Sequence, residues 1–141
     1  MITGVNIFET REYTSKYDLD KESPTIFEIG LLDSQMKAKI FDKVSDFELS
    51  SDNPDDDTKL NWRMNERNLS LVKFGVKNIK GFLDPQTKKT IDVKCDTINK
   101  LGKSYEVLPD SILDMLPLKI ITELAEQVLK ETVLSKEAEK N

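Results

Sequence analysis

Histidine is absent from this chain of 141 residues, and cysteine occurs once, at Cys95. Those two facts remove Ser-His-Asp triads, Cys-His nucleophile pairs, zinc clusters and intramolecular disulfides. A single thiol fits a reducing compartment. No apolar run approaches the roughly 18 residues of a membrane span. The opening MITGVNIFETREY also lacks the basic segment and apolar stretch of a secretion signal, so a cytosolic location is expected.

What is present describes one domain. The length falls in the range of about 100 to 150 residues typical of a single unit, and 38% apolar residues can form a core beneath a surface where 33% of residues are charged. Residues 1–23 show neither helical nor strand periodicity, and read as an extended N-terminal arm anchored by Ile7, Phe8, Tyr13 and Tyr17. Residues 24–141 read as a single α+β domain with a small antiparallel sheet and about three principal helices.

Within that domain Thr25 to Ile29 alternates as a strand does. Asp33 is a good N-cap for a helix to about Phe47, whose buried side is Met36, Ile40, Val44 and Phe47. Residues 50–58 hold no apolar side chain and a breaking Pro54, which predicts a solvated acidic loop. Ile91 and Val93 suit a strand over 90–94, and a second short strand is expected around Tyr105 to Leu108. Asp110 can cap a short helix through Leu113. Pro117 starts the longest helix, to about Val133, with Leu118, Ile121, Leu124, Ala125, Val128 and Leu129 as its apolar stripe; Lys119, Glu123, Glu126 and Lys130 take the polar side. Ser135 begins a last polar turn.

Residues 60–80 admit two readings. As a helix, Trp62, Leu69, Val72, Val76 and Ile79 line one face, and Leu60, Met64, Leu71 and Phe74 line the other. As a strand, Val72, Phe74 and Val76 alternate with Lys73, Gly75 and Lys77. The helix accounts for more residues, and a helix with two apolar faces must bury the second against something else. Leu60, Trp62, Met64, Leu71 and Phe74 are therefore the expected partner-binding residues.

Chemical motifs are few. Gly102-Lys103-Ser104 resembles the end of a phosphate-binding loop, but the first glycine of that motif would fall at Thr97 and no helix pattern follows, so a turn is expected. The aspartates between Asp52 and Asp57 lack the glycine a calcium loop needs at its sixth place, where Asp57 stands, and Arg63 occupies the place of the bidentate glutamate. Asp110 and Asp114 have a spacing ordinary for capping. No catalytic residue, metal site or cofactor is expected. Between Lys59 and Lys103 there are 11 basic and four acidic residues, against ten and 22 elsewhere. Arg63, Arg67, Lys73, Lys77 and Lys80 form a candidate basic patch for phosphates, or a field that steers a protein partner.

The order of these motifs carries a resemblance. Pro24-Thr25-Ile26-Phe27-Glu28, a helix opening at Asp33, and Val72-Lys73-Phe74-Gly75-Val76-Lys77-Asn78 leading into Gly81-Phe82-Leu83-Asp84 resemble small phage proteins of the tail assembly chaperone kind and related virion accessory proteins. Leu116-Pro117-Leu118 through Ala125, then Leu134-Ser135-Lys136 to Asn141, is similar to their usual ending. The resemblance implies a non-enzymatic morphogenesis protein without cofactors. It would bind other phage structural proteins, or copies of itself, in the host cytoplasm during assembly. The alternatives are a permanent subunit of the virion head, neck or tail, and a nucleic-acid-contacting accessory factor using residues 59–103.

Overall fold

The computed structural model describes residues 1–4, 9–50 and 56–140, with side chains described outside 43–50, 56–63 and 133–140. Among the described residues five strands and four helices follow in the order β1 (Thr10–Thr14), β2 (Ile26–Gly30), α1 (Ser34–Ser50), α2 (Asp56–Gly75), β3 (Val76–Lys80), β4 (Asp96–Lys100), β5 (Lys103–Val107), α3 (Asp110–Met115) and α4 (Leu118–Lys140). The strands make two antiparallel sheets, one in the order β1-β2-β3 and one the hairpin β4-β5. The fold is a single α+β domain.

Strand period two decides which side of the larger sheet is wet. Phe27, Ile29 and Ile79 point inward and are buried, and α4 packs on β2. On the outer side Lys80 sits 2.9 Å from Glu28 and 3.5 Å from Glu12, one cation between carboxylates of two neighbouring strands. A bulge between Glu28 and Ile29 adjusts the β2-β3 register.

The central helix is α2, which packs against α1, α4, β3 and β5. This placement corrects the docking reading at Leu71 and Phe74. Leu71 is fully buried and Phe74 nearly so, alongside Val72. In the last turns of α2 the chain's own elements cover residues of both faces, whereas Leu69, assigned to the core by periodicity, is 40% exposed. Met64 is half-buried. The side chains of Leu60, Trp62 and Arg63, like those of Val44 and Phe47, lie outside the described residues.

Over residues 60–80 the favoured helix holds only to Gly75, and the strand starts at Val76, later than the alternation from Val72 placed it. Val76 onward crosses to β2 as strand β3. The changeover is tight: a Cβ on Gly75 would fall 2.6 and 2.7 Å from the two γ-carbons of Val128 on α4. Glycine is needed there by close approach, and the strand leaves α2 directly.

Other boundaries shift. α1 reaches Ser50 and α2 starts at Asp56, so helix claims both ends of the expected acidic loop, and residues 51–55 lie outside the described residues. Residues 90–94 form one isolated bridge, Leu83 to Thr90, and the strand falls at 96–100 instead. Gly102-Lys103-Ser104 belongs to a hairpin whose two turn residues, Leu101 and Gly102, have φ of 56° and 73°, the geometry of a type I′ turn. α3 is preceded by Pro109 as its cap residue, without a side-chain cap bond from Asp110. Helix α4 continues through the residues expected to form a separate polar turn.

The N-terminal span contributes edge strand β1 and is held in part by the expected anchor Tyr13, whose partner was not visible in the sequence. Glu123, placed by periodicity on the polar side of α4, is 7% exposed. Its carboxylate accepts from the Tyr13 hydroxyl at 2.9 Å, the Ser15 hydroxyl at 2.5 Å and the Lys16 N–H at 2.9 Å. A buried carboxylate is stable only when its lone pairs are met, and three donors from one segment meet them. Burial, and then the hydrogen bond to Glu123, push the Tyr13 hydroxyl up to about 12. Leu118, expected in the α4 stripe, is 61% exposed at the helix start.

Candidate functional site

One cleft of about 530 Å³ opens where β2 hands over to α1 and the β4-β5 hairpin leans across. That size is in the range of small-ligand and peptide pockets. Leu32, Met36 and Phe74, all buried, form the apolar floor, with Leu31 beside them. Asp33, Lys77, Lys103 and Tyr105 supply the polar wall, and Thr10, Thr97 and Ser104 the rim.

Asp33 is fixed by its position. As the residue before α1 it accepts the Met36 N–H at 2.8 Å through Oδ1, an N-cap bond that satisfies one orphan donor of the helix. Oδ2 accepts the Tyr105 hydroxyl from β5 at 2.7 Å, and the Lys103 ammonium lies 3.9 Å away. Burial would raise this carboxyl, but the Met36 N–H, the Tyr105 hydroxyl and the Lys103 charge outweigh it and hold it below the ordinary aspartate value. The same contact, after burial, lifts Tyr105 to about 12. Its ring stands edge-on to Phe74, centroids 5.6 Å apart.

Lys77 enters from β3. Its stem lies against Gly30, where a Cβ would sit 3.0 Å from the lysine Cγ and Cε. Its ammonium donates to the Phe74 carbonyl in the last turn of α2 at 2.8 Å and to the Glu106 carbonyl of β5 at 3.2 Å. A cation at a helix C-terminus meets the negative end of the helix dipole. Burial lowers Lys77 below the ordinary lysine value, against the opposing influence of Cys95, Glu106 and Asp33. The Cys95 thiol donates to the Lys77 carbonyl at 3.0 Å, and burial raises its pKa, which keeps it from acting as a thiolate at neutral pH.

The predicted basic patch is drawn in separate directions. Lys73 pairs with Asp110 at 3.4 Å, Lys77 points to main-chain carbonyls, and Lys80 is held by Glu28 and Glu12. The Arg67 guanidinium lies 5.5 Å from the Phe41 ring centroid and donates to Asn68 at 3.1 Å. Burial lowers its pKa. Its Nε is buried without a hydrogen-bond partner among the described residues. Of the predicted partner-binding residues whose side chains are described, Phe74 alone lines the cleft, as floor.

Sequence reasoning missed Asp33 and Tyr105 as a pair, because 72 positions separate them. The cap signal at Asp33 was readable; its second partner was not. Among the described residues no three carboxylates or thiols converge to hold a metal ion, and no helix is long and apolar enough to cross a membrane. Comparison with protein-family models, with curated proteins and with solved structures gives no match.

Proposed function

We propose that this chain is a non-enzymatic phage morphogenesis protein that binds other virion components during tail or particle assembly. The cleft is the observation that supports this best. It is ligand-sized and apolar-floored, and Asp33 and Tyr105 in its wall are held by each other and by the fold. Asp33 caps α1 and anchors Tyr105, and Lys77 closes the end of α2 onto the hairpin. Acid–base catalysis favours a group whose pKa lies near the working pH. Asp33 is displaced below its ordinary value and Tyr105 lies at about 12, both away from neutrality. Such a surface suits recognition. The order of motifs from Pro24 to Asn141 supplies the phage context, and the engaged lysines weaken the nucleic-acid alternative.

The reading is tested by tagging the chain in cells that assemble the particle and identifying what it retains. Recovery of a head, neck or tail component supports it; recovery of metabolic enzymes, or of nothing, overturns it. Mass spectrometry of purified particles then separates the two fates. Stoichiometric presence makes the chain a permanent subunit, and absence makes it a transient chaperone.

A further inference from the structure

We propose that the cleft receives a carboxylate carried on an apolar stretch of the partner polypeptide, taken by the Lys77 ammonium above the floor of Leu32, Met36 and Phe74. This deepens the assembly role and rests on it. The inference starts from donor counting. An ammonium has three N–H donors. Lys77 uses two, on the Phe74 and Glu106 carbonyls, and one is left for the cleft its side chain lines.

Charge counting points the same way. Asp33 has its negative charge taken up by the start of α1, the Tyr105 hydroxyl and Lys103. Among the described residues Lys77 touches carbonyl oxygens and no carboxylate, with Glu106 and Asp33 acting on its charge only from beyond ion-pair distance. A partly desolvated cation gains from an incoming anion, because part of its desolvation cost has already been met in folding. Burial lowers the Lys77 pKa and outweighs the raising influence of Cys95, Glu106 and Asp33. The apolar floor beside it selects a ligand whose carboxylate is flanked by hydrophobic side chains. Exposed Thr97, Lys103, Ser104 and Glu106 along one wall leave the cleft open for a chain to run through.

The test uses the full chain, labelled with ¹⁵N, and capped peptides of the type acetyl-Leu-Glu-Leu-amide and acetyl-Phe-Asp-Leu-amide, their Gln and Asn counterparts, and octanoate. The expected result is binding of the acidic peptides, with amide shifts at Met36, Phe74, Lys77 and Tyr105. The uncharged counterparts should bind about tenfold or more weakly, the loss expected for a hydrogen bond to a charged group. Lys77→Met should show the same loss. Because that variant also frees two carbonyls, the shift map on the unmodified protein stands as an independent readout.

Equal affinity for charged and uncharged peptides overturns the proposal, as do shifts centred elsewhere or no binding at all. Octanoate binding where no peptide binds overturns the polypeptide source. Failure of the cleft assignment is separable from failure of the assembly role. If Lys77→Met retains virion components as well as the unaltered chain does, the cleft assignment falls and the assembly role stands. If the acidic peptides bind and no virion component is ever retained, the reverse holds.

Discussion

Replacing Gly75 by alanine tests how tightly α2 is locked onto α4. The new methyl would lie 2.6 and 2.7 Å from the Val128 γ-carbons and 3.2 Å from its Cβ. Val128 is fully buried, and a β-branched residue in a helix has one strongly preferred rotamer, so it cannot swing aside. The helices must part, and overpacking of this kind costs about 1 to 3 kcal/mol. Removing a glycine from a helix returns at most about 1 kcal/mol, less at the last residue. The net expectation is a destabilisation of about 1 to 2 kcal/mol, a fall in Tm of about 3 to 8 °C for a chain this long. Val128→Ala alone should cost about 2 kcal/mol through lost burial and the cavity it leaves. In that background Gly75→Ala meets no γ-carbons and should be neutral or stabilise by about 0.5 kcal/mol. Denaturant unfolding followed by circular dichroism at 222 nm gives all four stabilities of the cycle. A coupling of about 1 to 2.5 kcal/mol is expected. Costs that simply add would show that the two residues do not meet, and would refute the close packing of α2 on α4.

Leu71→Ala should destabilise the protein by about 2 to 5 kcal/mol in the same assay, as deletion of a fully buried leucine does; a negligible loss would return Leu71 to the surface. Glu123→Gln should leave three donors poorly met and cost about 1 to 3 kcal/mol. Hydrogen exchange should then quicken across Thr10–Thr14 while α2 stays protected, and unchanged protection of β1 would contradict the anchoring role of Glu123. Asp33 has a lower pKa folded than its unfolded value of 3.8, so its contribution to stability is present above that pH and lost as pH falls through the folded value. Asp33→Asn should flatten this acid limb in thermal melts, and an identical pH profile would rule out the contribution. At the alkaline end Tyr13 and Tyr105 bind their protons more tightly folded than unfolded, so their contribution holds below pH 10 and fades toward about 12. Tyr105→Phe should remove one component near pH 12 from the absorbance titration at 295 nm.

Local chemistry made much of the frame legible. The alternation of Ile26 to Ile29, the Asp33 cap and the apolar stripe of α4 each depend on residues within one or two turns of each other, and such short-range signals survive without knowledge of the rest of the chain. The span 60–80 shows the limit. Its double apolar pattern is real, but periodicity counts apolar faces and does not say what covers them. In the folded chain Leu71, Val72 and Phe74, from both faces, are buried among the chain's own elements, so that part of the surplus expected to face a partner became core. Gly75 marks the changeover from helix to strand, and its role depends on Val128, 53 positions away in the sequence.

The sequence by itself determined the absence of histidine chemistry, the α+β class and most element centres, because composition and periodicity act locally. Only the tertiary structure decided that Glu123 would be buried under the N-terminal segment, that Asp33 would meet Tyr105, and that Lys77 would be drawn from a presumed phosphate-binding surface into a cleft. Each of those outcomes joins groups far apart along the chain. Their energies come from desolvation and partner geometry, which exist only once the elements have packed.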